Sequence, residues 1–322
     1  MKIEVDHVRG DSGDSLLYSG EINILSPEFP SDSAFFWNSQ IFICHDIEFG
    51  KEIFIKINMY HTALRALIGI KHRLNIVIVG ANDGKINDPI YNFAMRMSGR
   101  TNILLIEPNK ALLPYLQNNY SPHPSYQIAN YAIGKEGMLT LYAIKKECWN
   151  RFRPAYAKGW PSYRAATGIT SSIKSHLEKA LVRENMNPDD MIDILNIPSK
   201  QLKTLLVELK WPSPIDVLQI DAEGCDDLVI HASNLEYTKP KLLYFENDNI
   251  PQERMESLLI YLSKHHYKTY KIGRNSLSVG SSIDLTCISL NGIILIFRVI
   301  RKLAVVMKGL IRGWEQERNP TA

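Results

Sequence analysis

Cysteine is scarce in this 322-residue chain: Cys44, Cys148, Cys225 and Cys287 stand far apart, with no C-x-x-C pair and no flanking histidine cluster at zinc-ligand spacing. That excludes a disulfide framework or a structural zinc module, and the thiols read as scattered and reduced. No uncharged apolar run reaches the roughly 18 residues that a spanning helix needs. The opening MKIEVDHVRGDSGDS lacks the unbroken apolar stretch of a signal peptide, which predicts a cytoplasmic protein, at most peripheral on the inner membrane face. Charge of one sign is missing too: 37 Lys plus Arg face 34 Asp plus Glu, a net charge of +3, so no global field invites nucleic acid. Neither G-x-G-x-x-G nor G-x-x-x-x-G-K-[ST] occurs, which disfavours NAD or FAD and leaves triphosphate hydrolysis without a motif. No internal repeat or low-complexity segment is present.

What the chain does have is 45% hydrophobic residues, enough for one sizeable core or two modest ones. Short β-branched runs alternate with helix-period segments, the pattern of an α/β fold with a parallel sheet and helices on both faces. NIVIV (75–79), NILLI (102–106), IDVLQI (215–220) and KLLYF (241–245) read as buried strands. Tyr126–Tyr131 is a further strand, with Met138–Ile144 expected to pair with it through a turn at Gly134–Gly137. Tyr267–Ile272 and Ile283–Leu290 would complete about seven. Helices are predicted over 89–97, to about 119, 202–209, to about 231, and 252–264.

The first 70 residues read as an N-terminal cap, partly β, with a hairpin over Phe42–Ile57 near Gly50 and a short helix over Thr62–Ile70. Lys145–Ser199 has no strand character, carries Trp149, Pro154, Trp160 and Pro161, and holds one clear helix near Lys174–Glu184. It reads as an insertion over the sheet's edge within a core domain of residues 71–290. Residues 291–322 form a basic amphipathic tail.

In such a sheet, ligands sit at the carboxyl ends of the strands, near the point where strand order reverses. The first strand runs into Gly80-Ala81-Asn82-Asp83-Gly84, where glycine permits a sharp turn and close approach to a ligand, or simply a tight strand-helix turn. The second ends in Glu107, whose carboxylate could accept hydrogen bonds from both hydroxyls of a ribose. A later strand ends in Asp221-Ala222-Glu223-Gly224. Two carboxylates two residues apart on an extended segment point the same way and raise one another's pKa, which suits a general base; alternatively Glu223 caps the following helix. The next strand ends in Glu246-Asn247-Asp248, which with Asp221 could hold a hard cation such as Mg²⁺, although acidic turns of this kind more often cap helices.

Taken in order, VIVGANDGK, LLIEPNKALLPYLQNN, NYAIGKEGMLTLY, TSSI, IDVLQIDAEGCDDLVI and KLLYFEND resemble the FkbM family of S-adenosylmethionine-dependent methyltransferases over about residues 75–290. The resemblance implies a Rossmann-like seven-stranded methyltransferase sheet whose last strand is antiparallel. It implies S-adenosylmethionine as cofactor; Mg²⁺ stays disfavoured on the capping argument above, and no metal ligand is assigned. It places Gly80, Ala81, Asn82, Asp83 and Gly84 at the methionine and ribose of the cofactor, Glu107 at the ribose hydroxyls, Pro108 and Asn109 at the adenine side, and Asn130 and Ala132 beside the adenine ring. Asp221 and Glu223 would line the cleft where methyl meets acceptor, with Asp221 or Glu223 as base and Glu246 next. His123, His231, His265 and His266 are weaker candidates. The acceptor implied is a hydroxyl on a saccharide, glycan or natural product.

Within the insertion, Arg151, Arg153, Tyr156, Trp160, Tyr163 and Arg164 could clasp a sugar or an anionic group, or form a lid with solvated charges. In the tail, residues 291–314 carry five basic residues and no acidic one, so the remainder of the chain is mildly acidic. That helix could contact an anionic membrane, pack on the enzyme, or mediate self-association. Two readings compete with methyl transfer: an NAD-dependent sugar-modifying oxidoreductase, and a non-catalytic Rossmann-like scaffold that docks on membranes.

Overall fold

The computed structural model describes residues 57–281, together with the backbone of strands Ala34–Trp37, Gln40–Ile47 and Lys51–Phe54. The latter two pair antiparallel, as the hairpin reading expects. The expected tail helix, with Cys287 and the strand expected over 283–290, lies outside the described residues.

Seven strands build the central sheet: β1 (Leu74–Val79), β2 (Thr101–Ile106), β3 (Tyr126–Ala129), β4 (Val217–Ile220), β5 (Leu242–Glu246), β6 (Tyr267–Ile272) and β7 (Asn275–Gly280). Their order is β6-β7-β5-β4-β1-β2-β3. β7 alone runs against its neighbours. The apolar runs are nearly continuous because both faces are covered. Ile76, Ile78, Ile103, Leu105 and Val217 face one core with the helix Met59–Ile70, while Val77, Val79, Leu104, Ile106 and Leu218 face the other with the helices Leu202–Glu208 and Gln252–Lys264. Period-two alternation thus sends each strand's side chains into two separate cores, each fully buried Leu or Ile contributing about 1.5–3 kcal/mol. The helix Met59–Ile70 starts where the Asn58 side chain accepts from the amide of His61, and its Tyr60, Leu64 and Leu67 are buried at helical spacing.

Two strand expectations are corrected. Gly137–Ile144 does not pair with β3; it pairs antiparallel with Ile192–Lys200, which also takes Ala132–Ile133 as a parallel neighbour in a small second sheet. The Ile192–Lys200 strand falls in the segment read as strandless, because it is half-exposed, charged and carries Pro198, and only its partner's register makes it a strand. The seventh strand of the described sheet is Asn275–Gly280, reached through a tight turn at Gly273 (φ +61°). Its serines hide it: Ser276 and Ser278 are fully buried and bonded to Asn247 and Thr269.

Nor does the insertion lie over an edge of the sheet. It has a small core of its own, including Trp149, Phe152, Ala166, Leu177 and Leu181, and hydrogen bonds hold it over the carboxyl end of β1. Cys148 and Cys225 are free thiols. Among the described residues, no helix is long and apolar enough to cross a membrane.

Candidate active site

The strand order reverses between β1 and β4, so the loops that leave these two strands diverge and open a cleft. Gly80 (φ +76°) sits at that point. A Cβ there would lie 1.9 Å from the carbonyl oxygen of Asp221, so the two strand ends approach more closely than any side chain allows. Gly84 (φ +70°) has a different reason. Its Cβ would fall 2.5 Å from Leu116 and 2.6 Å from Tyr120, so it packs against the helix Leu113–Tyr120 and not against the cleft.

Between them, Asp83 is wholly buried and accepts from the amides of Lys85 and Ile86 and from the Tyr163 hydroxyl at 3.0 Å. It therefore organises the loop and the insertion instead of facing a ligand. Thr167 donates to the Asn82 side chain, and the Arg164 guanidinium donates to the carbonyl of Ile86. The insertion helix Ser162–Thr167 is in this way fastened to the glycine loop.

At the end of β2, Glu107 is 5% exposed and its two carboxylate oxygens accept from the amides of Asn82 and Asn109, each at 2.7 Å. Burial pushes its pKa up to about 7 against these bonds, which pull the other way. The Asn130 side chain donates to the carbonyls of Glu107 and Pro108, and Asn109 accepts from the amide of Ala111. These residues shape the turn that presents Glu107. Ala132 is buried in the small sheet, opposite Ser199.

The three carboxylates at the ends of β4 and β5 converge. Oxygens of Asp221, Glu223 and Glu246 lie within 4.8 Å of one another, close enough to hold a hard cation. Strand alternation is not what aligns Asp221 with Glu223, because Glu223 has left the strand in a left-handed conformation (φ +45°). It does not cap the following helix either, since no side chain caps Asp226–Ala232. Asp226 supplies the alignment: its buried carboxylate accepts from the amide of Ala222 at 3.2 Å and from the amide of Glu246 at 3.1 Å, joining the two loops.

Asp221 is exposed on the cavity floor yet is crowded by protein atoms, and desolvation raises its pKa. Desolvation and then the Asp221 charge hold Glu223 well above the carboxylate range, and desolvation also raises Glu246. Asp248 stands apart, bonded to Arg274.

A cavity of about 950 Å³ opens above these groups. Gly80, Ala81, Asn82, Asp221, Glu223 and Glu246 line it; Asp83, Gly84, Glu107, Pro108, Asn109, Asn130 and Ala132 do not. None of the four candidate histidines reaches it: His123 is a core residue bonded to Thr101 and Ser125, and His231 and His265 pack on Tyr261. His176 does reach it, packed on the DAEG turn so closely that a Cβ at Gly224 would meet its ring at 2.5 Å. Sequence reasoning found the helix carrying His176 without any signal of where its face would turn. Asp88 and Gln219, bonded to each other, and Tyr244, stacked on Tyr60, are further wall residues that had no motif.

A family model, the methyltransferase FkbM domain, matches residues 79–270. The chain belongs to the FkbM methyltransferase family. The family is S-adenosylmethionine-dependent, and the oxidoreductase alternative is set aside. No curated protein matches significantly. Solved structures that resemble the chain include a precorrin-6y C5,15-methyltransferase from Geobacter metallireducens GS-15, 11% identical, covering 69% of this chain and 85% of that one at a TM-score of 0.31. The Methanococcus jannaschii fibrillarin pre-rRNA processing protein is 13% identical, over 75% and 88% of the two chains, at 0.33. The Aeropyrum pernix fibrillarin, solved with natively bound S-adenosyl-L-methionine, is 10% identical, over 74% and 88%, at 0.34. The fold assignment rests on the strand order itself.

The donor set suits S-adenosylmethionine. Each oxygen of Glu107 accepts one backbone amide and keeps a second lone pair, and the acidic floor of Asp221, Glu223 and Glu246 suits a sulfonium cation.

Proposed function

We propose that this methyltransferase acts on a hydroxyl of a saccharide, glycan or natural product, with a carboxylate of Asp221 or Glu223 as general base. The convergence of Asp221, Glu223 and Glu246 over the Gly80 turn carries the reading. S-adenosylmethionine, when bound, supplies a methyl group already activated on a sulfonium. The chain's own task is then to hold the donor, to align the acceptor oxygen with the methyl carbon, and to take the hydroxyl proton.

Gly80, Ala81 and Asn82 would face the methionine and ribose, Glu107 the ribose hydroxyls, and Pro108, Asn109 and Asn130 the adenine side. Neither Asp221 nor Glu223 makes a side-chain hydrogen bond among the described residues, whereas Glu246 is held by Arg274 and Asn249. Two crowded carboxylates cannot both ionise freely, so the pair shares a proton and its ionised member accepts the one released by the hydroxyl. No metal is assigned a part in this.

The test is transfer of a radiolabelled methyl group to a panel of hydroxylated acceptors, alongside titration of S-adenosylhomocysteine. Asp221→Asn and Glu223→Gln are expected to keep binding S-adenosylhomocysteine while kcat falls by about 10²–10⁴-fold for the base. Activity should persist in EDTA. Wild-type protein that binds neither S-adenosylmethionine nor S-adenosylhomocysteine would sink the reading, and activity restored only by Mg²⁺ would give the three carboxylates to a cation.

A further inference from the structure

The cavity is electrically polarised. Its floor holds Asp221, Glu223 and Glu246, while its wall includes the helix Lys174–Arg183, which turns His176, Lys179 and Arg183 toward the space. At 100° per residue these three share one face, and Leu177 and Leu181 are buried on another. The two other arginines that line the cavity are already committed: Arg164 lies 3.8 Å from Asp83 and donates to Ile86, and Arg274 pairs with Glu246 and Asp248. Lys179 and Arg183 make no ion pair or hydrogen bond among the described residues, although Glu184 and Asp248 also line the cavity.

On the insertion side, Tyr156 and Trp160 meet edge to face at 5.9 Å, and Tyr156 is left 62% exposed. An exposed aromatic residue and two uncommitted cations lining the same cavity make a surface for a ring that carries negative charge. The ring's C–H face stacks on the aromatic, and the guanidinium fork takes two oxygens of a carboxylate or phosphate.

We propose that the acceptor is an anionic saccharide, a sugar bearing a carboxylate or a phosphate, whose charged group is bound by Lys179 and Arg183. This rests on the methyl-transfer reading of the same cavity. The acidic floor repels the anion and the cationic wall attracts it, so the charge fixes which end of the sugar points to Asp221 and Glu223. The neutral hydroxyl end is thereby delivered to the base. Lys179 and Arg183 are specificity residues; neither is asked to touch the reacting atoms.

The experiment uses the full chain saturated with S-adenosylhomocysteine and three probes: glucuronic acid, glucose 6-phosphate and glucose, with affinities read by ligand-observed NMR at low salt. At least one anionic probe should bind about tenfold or more tightly than glucose, the worth of one charge-assisted contact. Which anion wins distinguishes carboxylate from phosphate. Lys179→Ala/Arg183→Ala should erase that preference without moving the affinity for S-adenosylhomocysteine or the melting temperature, and Lys179→Arg/Arg183→Lys should retain it. Glucose binding as tightly as both anions, an anion preference that survives loss of both cations, or no binding by either anion overturns the proposal. A chain that fails to take up S-adenosylhomocysteine overturns the methyl-transfer reading itself, and the anionic acceptor with it.

Discussion

Ionisation of Glu107 should set how tightly the donor's ribose is held. The carboxyl is buried at the end of β2, where desolvation raises its pKa to about 7. Hydroxyls that donate to it favour the ionised form, so binding draws on the deprotonated fraction. With a pKa near 7, roughly a tenth of the molecules are ready at pH 6 and nine-tenths at pH 8. Affinity for adenosine should therefore rise about tenfold, or about 1.4 kcal/mol, across that interval.

Adenosine reports the ribose contact without the sulfur end, where Asp221 and Glu223 also titrate. 2′,3′-Dideoxyadenosine, which lacks both hydroxyls, should bind with no such slope. The ligand-free fold should show the opposite trend. A carboxyl whose folded pKa lies above its unfolded value stabilises the protein at low pH and loses that contribution as pH rises toward 7, by up to about 3 kcal/mol for this shift. Isothermal titration at pH 6, 7 and 8 decides the matter. An adenosine affinity that stays flat or falls, or a dideoxy analogue with the same pH slope, would refute a carboxylate-ribose contact.

Four further perturbations follow from the geometry. Gly80→Ala places a methyl 1.9 Å from the Asp221 carbonyl at φ +76°, a left-handed position costing about 1–2 kcal/mol before the clash, so melting temperature and S-adenosylhomocysteine binding should both fall. Gly84→Ala meets only side chains of Leu116 and Tyr120, and calorimetry should show a stability loss with donor affinity largely kept. Asp226→Asn puts an amide NH₂ against one of two backbone amides, and should lower kcat more than it alters S-adenosylhomocysteine affinity, because it misaligns Glu246 relative to Asp221. Asp216→Asn should cost about 1–3 kcal/mol in urea unfolding and leave transfer unchanged, since the buried carboxylate serves the amide of Asn75 and the ammonium of Lys71, away from the cavity.

Much of the frame is legible along the chain because its causes are local. NILLI and KLLYF are strands for their apolar runs, and Gln252–Lys264 is a helix for its period; the structure places all three within a residue of expectation. Turns that must be glycine or acidic announce themselves after such runs, so the residues at the ends of β1, β2, β4 and β5 could be named from their order alone. β7 escaped because burial of Ser276 and Ser278 is made tolerable by hydrogen bonds to residues on other strands, which no local pattern shows. Ile192–Lys200 escaped for a related reason, since its strand conformation comes from pairing across half a hundred residues with Gly137–Ile144.

Periodicity, turn residues and motif order are written in near neighbours, and they suffice to read a doubly wound α/β methyltransferase of the FkbM family along the chain. Which acids meet, and what faces them, depends on packing between distant segments. Glu246 joins Asp221 and Glu223 because β4 and β5 pair in register and Asp226 ties their loops together. Asp83 turns from a ligand candidate into an anchor because Tyr163, 80 residues on, reaches back to it. Lys179 and Arg183 acquire a role only because the insertion folds over the switch point and brings a helix face to the cavity. A side chain's charge is fixed by its identity, but its partners are set by packing between segments far apart in the chain.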